Sequence, residues 1–172
     1  MARKKAWSIR DRPVEVVLNN RHFGASVFGA IGNCLTKPVF AVYDRNNKVN
    51  FIKFMKRVRQ SLKIEFRRER NPIKPFLVLD NASSHRANDS VRYLETHFRP
   101  LFMVPYSSPA NSIERVWNLS KRAYEKKAMV LRHELNEQQF RDMVREVLNS
   151  LPPEKVNACI TSNRAHLASN LN

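Results

Sequence analysis

Residues 76–85 read F-L-V-L-D-N-A-S-S-H, and residues 105–117 read P-Y-S-S-P-A-N-S-I-E-R-V-W. The run Phe76–Leu79 is short, apolar and continuous, which predicts a buried strand that ends at Asp80. Thirty-three residues separate Asp80 from Glu114, which lies where a segment with helical periodicity begins. Carboxylates at a strand end and a helix start indicate a site for a hard metal ion that binds phosphate.

The composition of the chain favours a polyanionic partner. The 172 residues suffice for one domain with a buried core, and the formal net charge is +16. Most of the excess positive charge lies in residues 1–12, 48–74 and 115–132, which flank the segments that hold the two carboxylates. A charge of this size favours nucleic-acid binding over a solvated basic surface.

The sequence also constrains the compartment in which we expect the protein. It contains no apolar run near 18 residues and no signal-peptide pattern at its N-terminus. Cys34 and Cys159 are too few for a disulfide framework, so we expect a reducing compartment. The protein is therefore expected in the nucleus if eukaryotic or the cytoplasm if bacterial, not secreted, with no membrane partner and no small-molecule cofactor.

Periodicity and turn residues predict an α/β chain with a hairpin followed by alternating strands and helices. Residues 1–20 give only weak strand signals, at Ala6–Ile9 and Val14–Leu18. The remaining predicted elements are strands at 22–32, Pro38–Tyr43, Phe76–Leu79 and Leu101–Val104, a loop at Pro105–Ala110, and helices at 48–64, 86–98, from Asn111 to about 127, Glu137–Leu148 and Glu154–Ser169. Asn46 or Asn47 is expected to cap the first helix.

The individual site residues leave alternatives open. Asp80 follows a strand, where aspartate is also a common turn residue. Glu114 lies three residues after Asn111, which is the spacing of a capping box. His85 is a metal ligand, a base, or a polar residue near a helix start, and Asn81 is expected to fix the turn.

Taken together, the two quoted motifs resemble those of the DDE transposases of the mariner superfamily, including their bacterial insertion-sequence relatives. That family carries a D-N-x-x-x-H segment with its second catalytic aspartate, and a P-Y-S-P-x-x-N-P-I-E-x-x-W segment with its third acidic residue. Trp7 with its basic flank and the segment Ser26–Gly32 resemble the family as well. The resemblance covers roughly residues 5–130, with the paired motifs in order and near the usual spacing.

The resemblance implies a ribonuclease H-like fold, in which helices flank a mixed sheet, and DNA strand cleavage and strand transfer with Mg²⁺ or Mn²⁺. Asp80 and Glu114 would be the second and third metal ligands, supported by Asn81, His85 and Asn111. The partners would be transposon ends and target DNA, with a possible homodimer. Six basic side chains of the charged segments are candidates for DNA binding, namely Lys53, Lys56, Arg57, Arg115, Lys121 and Arg122.

The chain departs from the family pattern at its N-terminal end. The first catalytic aspartate of the family lies upstream of the residue that Trp7 matches, and no acidic residue precedes Trp7 here. Asp11 and Asp44 are the nearest substitutes, and Ser112 stands where the family has proline. We therefore expect an N-terminally truncated catalytic domain at residues 1–132, with the first strand and the family's helix-turn-helix region missing, and a C-terminal helical extension at 133–172 packed on it.

An incomplete triad predicts a fragment that is inactive alone, because a two-metal site is expected only when all three acids are present. The alternative is a non-catalytic, basic DNA-binding protein derived from a transposable element, whose binding weakens steeply with salt. A basic ribonucleoprotein component is a third hypothesis, but it requires stacking aromatics on an open sheet, and the strands here are expected to be buried.

Overall fold

A computed structural model describes residues 24–66, 73–104, 111–130 and 135–169, and in these ranges the chain is a mixed α/β protein. The strand signals at Ala6–Ile9 and Val14–Leu18 and the loop at Pro105–Ala110 lie outside the described residues. The elements are β1 (Ser26–Ala30), β2 (Val39–Tyr43), α1 (Lys48–Gln60), a 3₁₀ turn (Ile64–Phe66), β3 (Phe76–Leu79), α2 (Ser83–Arg86), α3 (Asn88–His97), β4 (Arg99–Phe102), α4 (Ser112–Val130), α5 (Glu137–Asn149) and α6 (Pro153–Ser169).

Strands β1 and β2 form the predicted hairpin. They pair antiparallel, with Phe28 opposite Ala41, and both of these side chains are buried in the main core. The described part of the first strand is shorter than predicted, since it ends at Ala30. The chain leaves it through a turn in which the Leu35 amide donates to the Gly32 carbonyl, at 3.2 Å.

Strands β3 and β4 run parallel, with Val78 opposite Leu101, and α2 and α3 connect them. The bounds of β3 are as predicted, whereas β4 begins at Arg99, two residues before the predicted strand. The predicted burial of both strands was wrong. Phe76 and Val78 are 63% and 56% exposed, because alternate side chains point to opposite faces and only the face of Leu79 packs into the core.

The described strands make two separate two-stranded sheets, β1–β2 and β3–β4, and not one mixed sheet. Residues of β1 and β3 nevertheless line the same open cleft of about 960 Å³. The two sheets therefore form walls of one cleft, and the site lies along it.

Helix α1 packs against the β1–β2 hairpin and contributes several side chains to the main core. Asn47 caps it as predicted, since its side-chain oxygen accepts the Asn50 amide at 2.9 Å. The predicted apolar stripe, Phe51, Met55, Val58 and Leu62, is at most 2% exposed. The helix ends at Gln60 and not at 64, because the amide of Ser61 turns to the carbonyls of Arg57 and Val58 and a separate 3₁₀ turn follows.

The predicted helix at 86–98 is divided into α2 and α3. Ala87 separates them with an extended ψ of 138°, and helix α2 begins earlier, at Ser83. The Ser90 hydroxyl donates to the Ser84 carbonyl at 2.7 Å, which ties the two short helices together in the core. Leu94 and Phe98 of the predicted stripe are buried, at 0% and 2% exposure.

The three C-terminal helices pack together and onto β2. Helix α4 contacts α5 and α6, and α5 contacts β2. Val116 and Val156 are fully buried between α4 and α6. Asn136 and Gln139 form a reciprocal capping box at the start of α5. None of the described helices is long and apolar enough to cross a membrane.

Candidate active site

Asp80 stands at the carboxyl end of β3 and lines the cleft. Its Oδ1 accepts the Ala82 amide at 3.1 Å, so the aspartate does fix the turn as well. The side chain is 58% exposed, and none of the described residues donates a hydrogen bond to Oδ2. One oxygen is therefore turned towards the loop, and the other is available to a ligand.

His85 lies on α2 beside Asp80. Its Nδ1 is 2.7 Å from Asp80 Oδ1, but this close contact lacks the angles of a hydrogen bond. The imidazole ring packs against Phe51 of α1, with ring centroids 4.3 Å apart, and its side chain is only 15% exposed. The structure thus places this histidine against the carboxylate and fixes its ring by packing.

Asn81 makes contacts beyond the local turn that the sequence predicted. Its Nδ2 donates to the carbonyl of Met103, just after β4, at 2.6 Å. Its Oδ1 accepts two hydrogen bonds from Arg86, from Nε at 3.0 Å and Nη2 at 2.6 Å. The guanidinium carbon of Arg86 lies 3.8 Å from the centre of the Phe102 ring. The residue after Asp80 is thus bound to two other elements.

Glu114 lies in the first turn of α4, half-buried, and lines the same cleft as Asp80. The Asn111 side chain accepts only a long bond from the Ile113 amide, at 3.4 Å. No described backbone amide donates to the Glu114 carboxylate, so the capping box that the sequence allowed is not formed there. The carboxylate is therefore not consumed by the helix end.

Trp117 seats α4 on the hairpin. Its indole packs over Gly29 of β1 and lies 6.1 Å, centroid to centroid, from the Phe40 ring of β2. A Cβ at Gly29 would be 2.5 Å from Trp117 Cη2, so only glycine permits this approach. Since Trp117 lies less than one turn after Glu114, this contact holds the part of α4 that carries Glu114 against the hairpin.

The two carboxylates could hold a divalent metal ion with help from other ligands. Magnesium takes hard oxygen donors, often only one or two protein carboxylates, with water and substrate phosphate completing its shell. No group of three metal-binding side chains occurs among the described residues. Asp44 does not line the cleft, and its Oδ1 accepts the Arg45 amide and Asn50 Nδ2 instead. Asp11 lies outside the described residues.

The six basic residues predicted to bind DNA lie on two helices. Lys53, Lys56 and Arg57 are exposed on α1, on the side away from the core. On α4, Lys121 and Arg122 are exposed and Arg115 is half-buried.

Burial lowers the pKa of His97 below its ordinary value, and the nearby cations Arg59 and Lys74 lower it further.

The sequence interpretation missed the partners that hold the site residues in place. Arg86 directly follows the D-N-x-x-x-H motif, and its spacing of five from Asn81 gave no helical signal. Met103 acts through its main chain, which carries no sequence signature. Gly29 was noted only as a glycine inside a strand, where close approach of another group is a common cause.

The fold and the site together define an α/β protein with two carboxylates on one cleft and a strongly basic composition. Residues 1–135 match the family described as DDE superfamily endonuclease. The match covers well over half of the chain, and the protein belongs to this family. Among curated proteins, none matches the chain.

Proposed function

We propose that this chain is the catalytic domain of a transposase of the mariner type, a class of enzyme that cleaves DNA strands and transfers them with the help of Mg²⁺ or Mn²⁺. The observation that carries the proposal is that Asp80 and Glu114 line the same open cleft. Neither carboxylate is consumed by a salt bridge with lysine or arginine among the described residues. Membership of the DDE superfamily endonucleases supports a nuclease-type reaction.

The donor set fits a divalent metal ion. Asp80 offers its Oδ2, and Glu114 offers a half-buried carboxylate from another element. A divalent cation held there would polarise the phosphate and activate the attacking water or hydroxyl. The protein's own contribution is to hold both carboxylates on rigid elements, one at the end of β3 and one in the first turn of α4.

We assign supporting roles to the residues that surround the two acids. His85 restrains the Asp80 carboxylate on its Oδ1 side, because the ring is fixed by Phe51 and lies 2.7 Å from that oxygen. Asn111 precedes α4 and shapes the start of the helix that carries Glu114. In this assignment, neither residue needs to bind the metal ion.

The described part of the chain contributes two carboxylates to the cleft, whereas the DDE transposases that the chain resembles use three acidic residues. We infer that the protein is a weak or inactive nuclease unless a third acid reaches the cleft. We propose a ribonuclease H-like arrangement because β1 and β3 both stand on the walls of this cleft, although the described strands pair as two separate sheets. We further propose that residues 1–132 form the catalytic domain and that the helices of residues 133–172 extend it, since α5 and α6 pack on α4.

DNA is the proposed substrate, and the basic residues of α1 and α4 are proposed to bind its phosphates. Exposed Lys53, Lys56 and Arg57 share one helix and give it a positive outer face. Each phosphate neutralised adds about 0.9 to the salt dependence of binding. Replacing Lys53 and Lys56 by glutamine should therefore reduce the slope of log affinity against log salt by up to about 2.

The first test of the metal site measures thermal stability and does not depend on catalytic activity. Saturating Mn²⁺ should raise the melting temperature of the wild-type chain, because a ligand at 100 times its dissociation constant stabilises by about 2.7 kcal/mol. Asp80→Asn and Glu114→Gln should each abolish most of this shift. Glu95→Gln is the matched control, since Glu95 is exposed on α3 and does not line the cleft. An equal Mn²⁺ shift in all four proteins would refute the proposed site.

Strand cleavage is tested on a labelled DNA duplex in Mn²⁺ or Mg²⁺. Because the described residues supply only two of the three acids, we expect little product, and robust strand transfer would mean that a third acid reaches the cleft. Any cleavage that does occur should disappear in Asp80→Asn. Asp44→Asn should leave it unchanged, because Asp44 does not line the cleft.

A second function is favoured by the net charge of +16, namely DNA binding without catalysis. In that case the duplex binds with a steep salt dependence, while Mn²⁺ does not stabilise the protein. The double variant Asp80→Ala with Glu114→Ala then binds DNA as wild type does. A homodimer, detected by light scattering, is compatible with either function, as is a location in the nucleus or in a bacterial cytoplasm.

A further inference from the structure

The residues on both sides of Asp80 are bound to Met103, which directly follows β4. Leu79 precedes Asp80, and its carbonyl accepts the Met103 amide at 2.8 Å. Asn81 follows Asp80, and its Nδ2 donates to the Met103 carbonyl at 2.6 Å. The first contact is the ordinary continuation of the parallel ladder, but the second depends on a side chain. Asp80 thus lies between two anchored neighbours.

Arg86 completes this arrangement from the opposite side of the loop. Its Nε and Nη2 donate to Asn81 Oδ1 at 3.0 and 2.6 Å, so both donors converge on one oxygen. Its guanidinium carbon also lies over the Phe102 ring, 3.8 Å from the ring centre. Phe102 is the last residue of β4 and directly precedes Met103. Arg86 therefore binds the loop after β3 and packs on the end of β4 at once.

These contacts orient the Asn81 side chain. With Oδ1 engaged by the guanidinium, Nδ2 is directed to the Met103 carbonyl, so reversal of the amide would place two acceptors together. Asn81 and Arg86 are both exposed, and hydrogen bonds at exposed positions compete with water. The ring contact and the paired donors preorganise the guanidinium, which a lysine ammonium on its flexible stem cannot reproduce.

We propose that Arg86 is a positioning residue of the metal site: through Asn81 it fixes the loop so that Asp80 presents its carboxylate to the cleft. This inference rests on the proposed function, in which Asp80 binds the metal ion. Arg86 itself touches neither the Asp80 carboxylate nor the metal. Its charge is already engaged by Asn81 and Phe102, which distinguishes it from the exposed basic residues of α1 that are assigned to phosphates.

A metal-free measurement tests the geometry. The Ala82 amide donates to Asp80 Oδ1, so its resonance in a ¹⁵N–¹H correlation spectrum reports where the carboxylate lies. Asp80→Asn calibrates the shift that a changed acceptor produces. In the spectra of Arg86→Lys and Arg86→Gln, we expect the Ala82 resonance to be shifted from its wild-type position. In the spectrum of Arg92→Lys it should stay at that position. Arg92 is the matched control because it is an exposed arginine on α3 that lines no part of the cleft.

Metal affinity and DNA affinity then separate positioning from phosphate binding. Outer partners of metal ligands are typically worth 10–100-fold in affinity, so both Arg86 variants should weaken Mn²⁺ binding by about tenfold. Arg86→Lys keeps the positive charge and should change duplex affinity by less than about twofold. If Arg86 instead contacts a phosphate, lysine retains DNA binding, glutamine loses it, and neither variant alters Mn²⁺ binding, which overturns the proposal.

A third variant guards against simple misfolding. Phe102→Leu removes the ring under the guanidinium and leaves every charge in place. It should weaken Mn²⁺ binding in the same direction as Arg86→Lys but by less, with only a modest fall in melting temperature, since Phe102 also packs against the main core. An unmoved Ala82 resonance in all the Arg86 variants would refute the positioning role. If wild-type protein shows no saturable Mn²⁺ binding, the proposed function fails, whereas the Ala82 resonance still decides whether Arg86 controls the loop.

Discussion

Replacing Gly29 by alanine tests whether the contact between β1 and α4 determines the site. The added Cβ would lie 2.5 Å from Trp117 Cη2, 3.0 Å from Cζ2 and 3.1 Å from Phe40 Cδ1. Relief requires the indole, and with it the start of α4, to shift. Overpacking of this kind costs about 1–3 kcal/mol. Alanine returns about 0.4–1 kcal/mol through the lower entropy of the unfolded chain.

We therefore expect Gly29→Ala to lose about 1–2 kcal/mol of unfolding free energy net of that gain. For a chain of this size each kcal/mol lowers the melting temperature by about 2–4 °C, so the expected fall is about 2–8 °C. Gly24→Ala is the control, because its Cβ would meet nothing within 4 Å. That variant should be neutral or slightly more stable. The assays are calorimetry and urea unfolding.

The contact itself is isolated by a double-mutant cycle with Trp117→Phe. Cη2 and Cζ2 belong to the outer ring of the indole, which phenylalanine lacks, so Gly29→Ala should cost little in that background. We expect a coupling energy of about 1 kcal/mol, within the range for contacting residues. Displacement of α4 should also weaken the Mn²⁺ shift through Glu114. Equal stability of Gly29→Ala and wild type, with additive effects in the cycle, would refute the reasoning.

Three further variants test the core, a helix cap and a titrating group. Leu94→Ala should lose about 2–5 kcal/mol in urea unfolding, because the side chain is fully buried; a loss below 1 kcal/mol would contradict its place in the core. Asn136→Ala should lose about 1 kcal/mol, because it removes the capping box of α5, and Asn136→Ser should retain most of it. The folded-state pKa of His97 is lowered, so the unfolded chain binds a proton more readily, and stability should fall as pH drops below about 6.5. His97→Gln should flatten this slope between pH 5 and 7, and an unchanged slope would exclude His97 as its source.

The local elements could be predicted because periodicity and caps act over a few residues. The stripe of α1 is visible as Phe51, Met55 and Val58, and Asn47 is a strong cap signal, so both were confirmed. The strand before Asp80 was confirmed at its predicted bounds for the same reason, since an apolar run ends at a turn residue. The predicted burial of β3 was wrong, because covering its second face depends on how distant layers pack.

The division of the predicted helix at Ala87 shows a second reason for failure. No proline or glycine marks the break, and Ala87 itself fits the helical spacing of Val91, Leu94 and Phe98. The break is supported by the bond from Ser90 to the Ser84 carbonyl, in which a serine competes for the backbone as this residue type often does. Such a tertiary contact leaves no pattern in the sequence. The pairing of the strands into two sheets was not predicted for the same reason, since it also depends on tertiary contacts.

Some residues of the site can be found from sequence motifs, whereas the contacts that hold them are visible only in the three-dimensional structure. Asp80 and Glu114 stood out in the sequence because each ends or starts an element inside a recognisable motif, and they do line one cleft. Their proposed role as metal ligands depends on groups without such a signature, namely the Met103 carbonyl, the Phe102 ring and the absent side chain of Gly29. Two independent anchors result, one at each carboxylate. Because Arg86 acts at β3 and Trp117 acts at α4, loss of either should weaken metal binding, and loss of both should be nearly additive unless the cleft is a single cooperative unit.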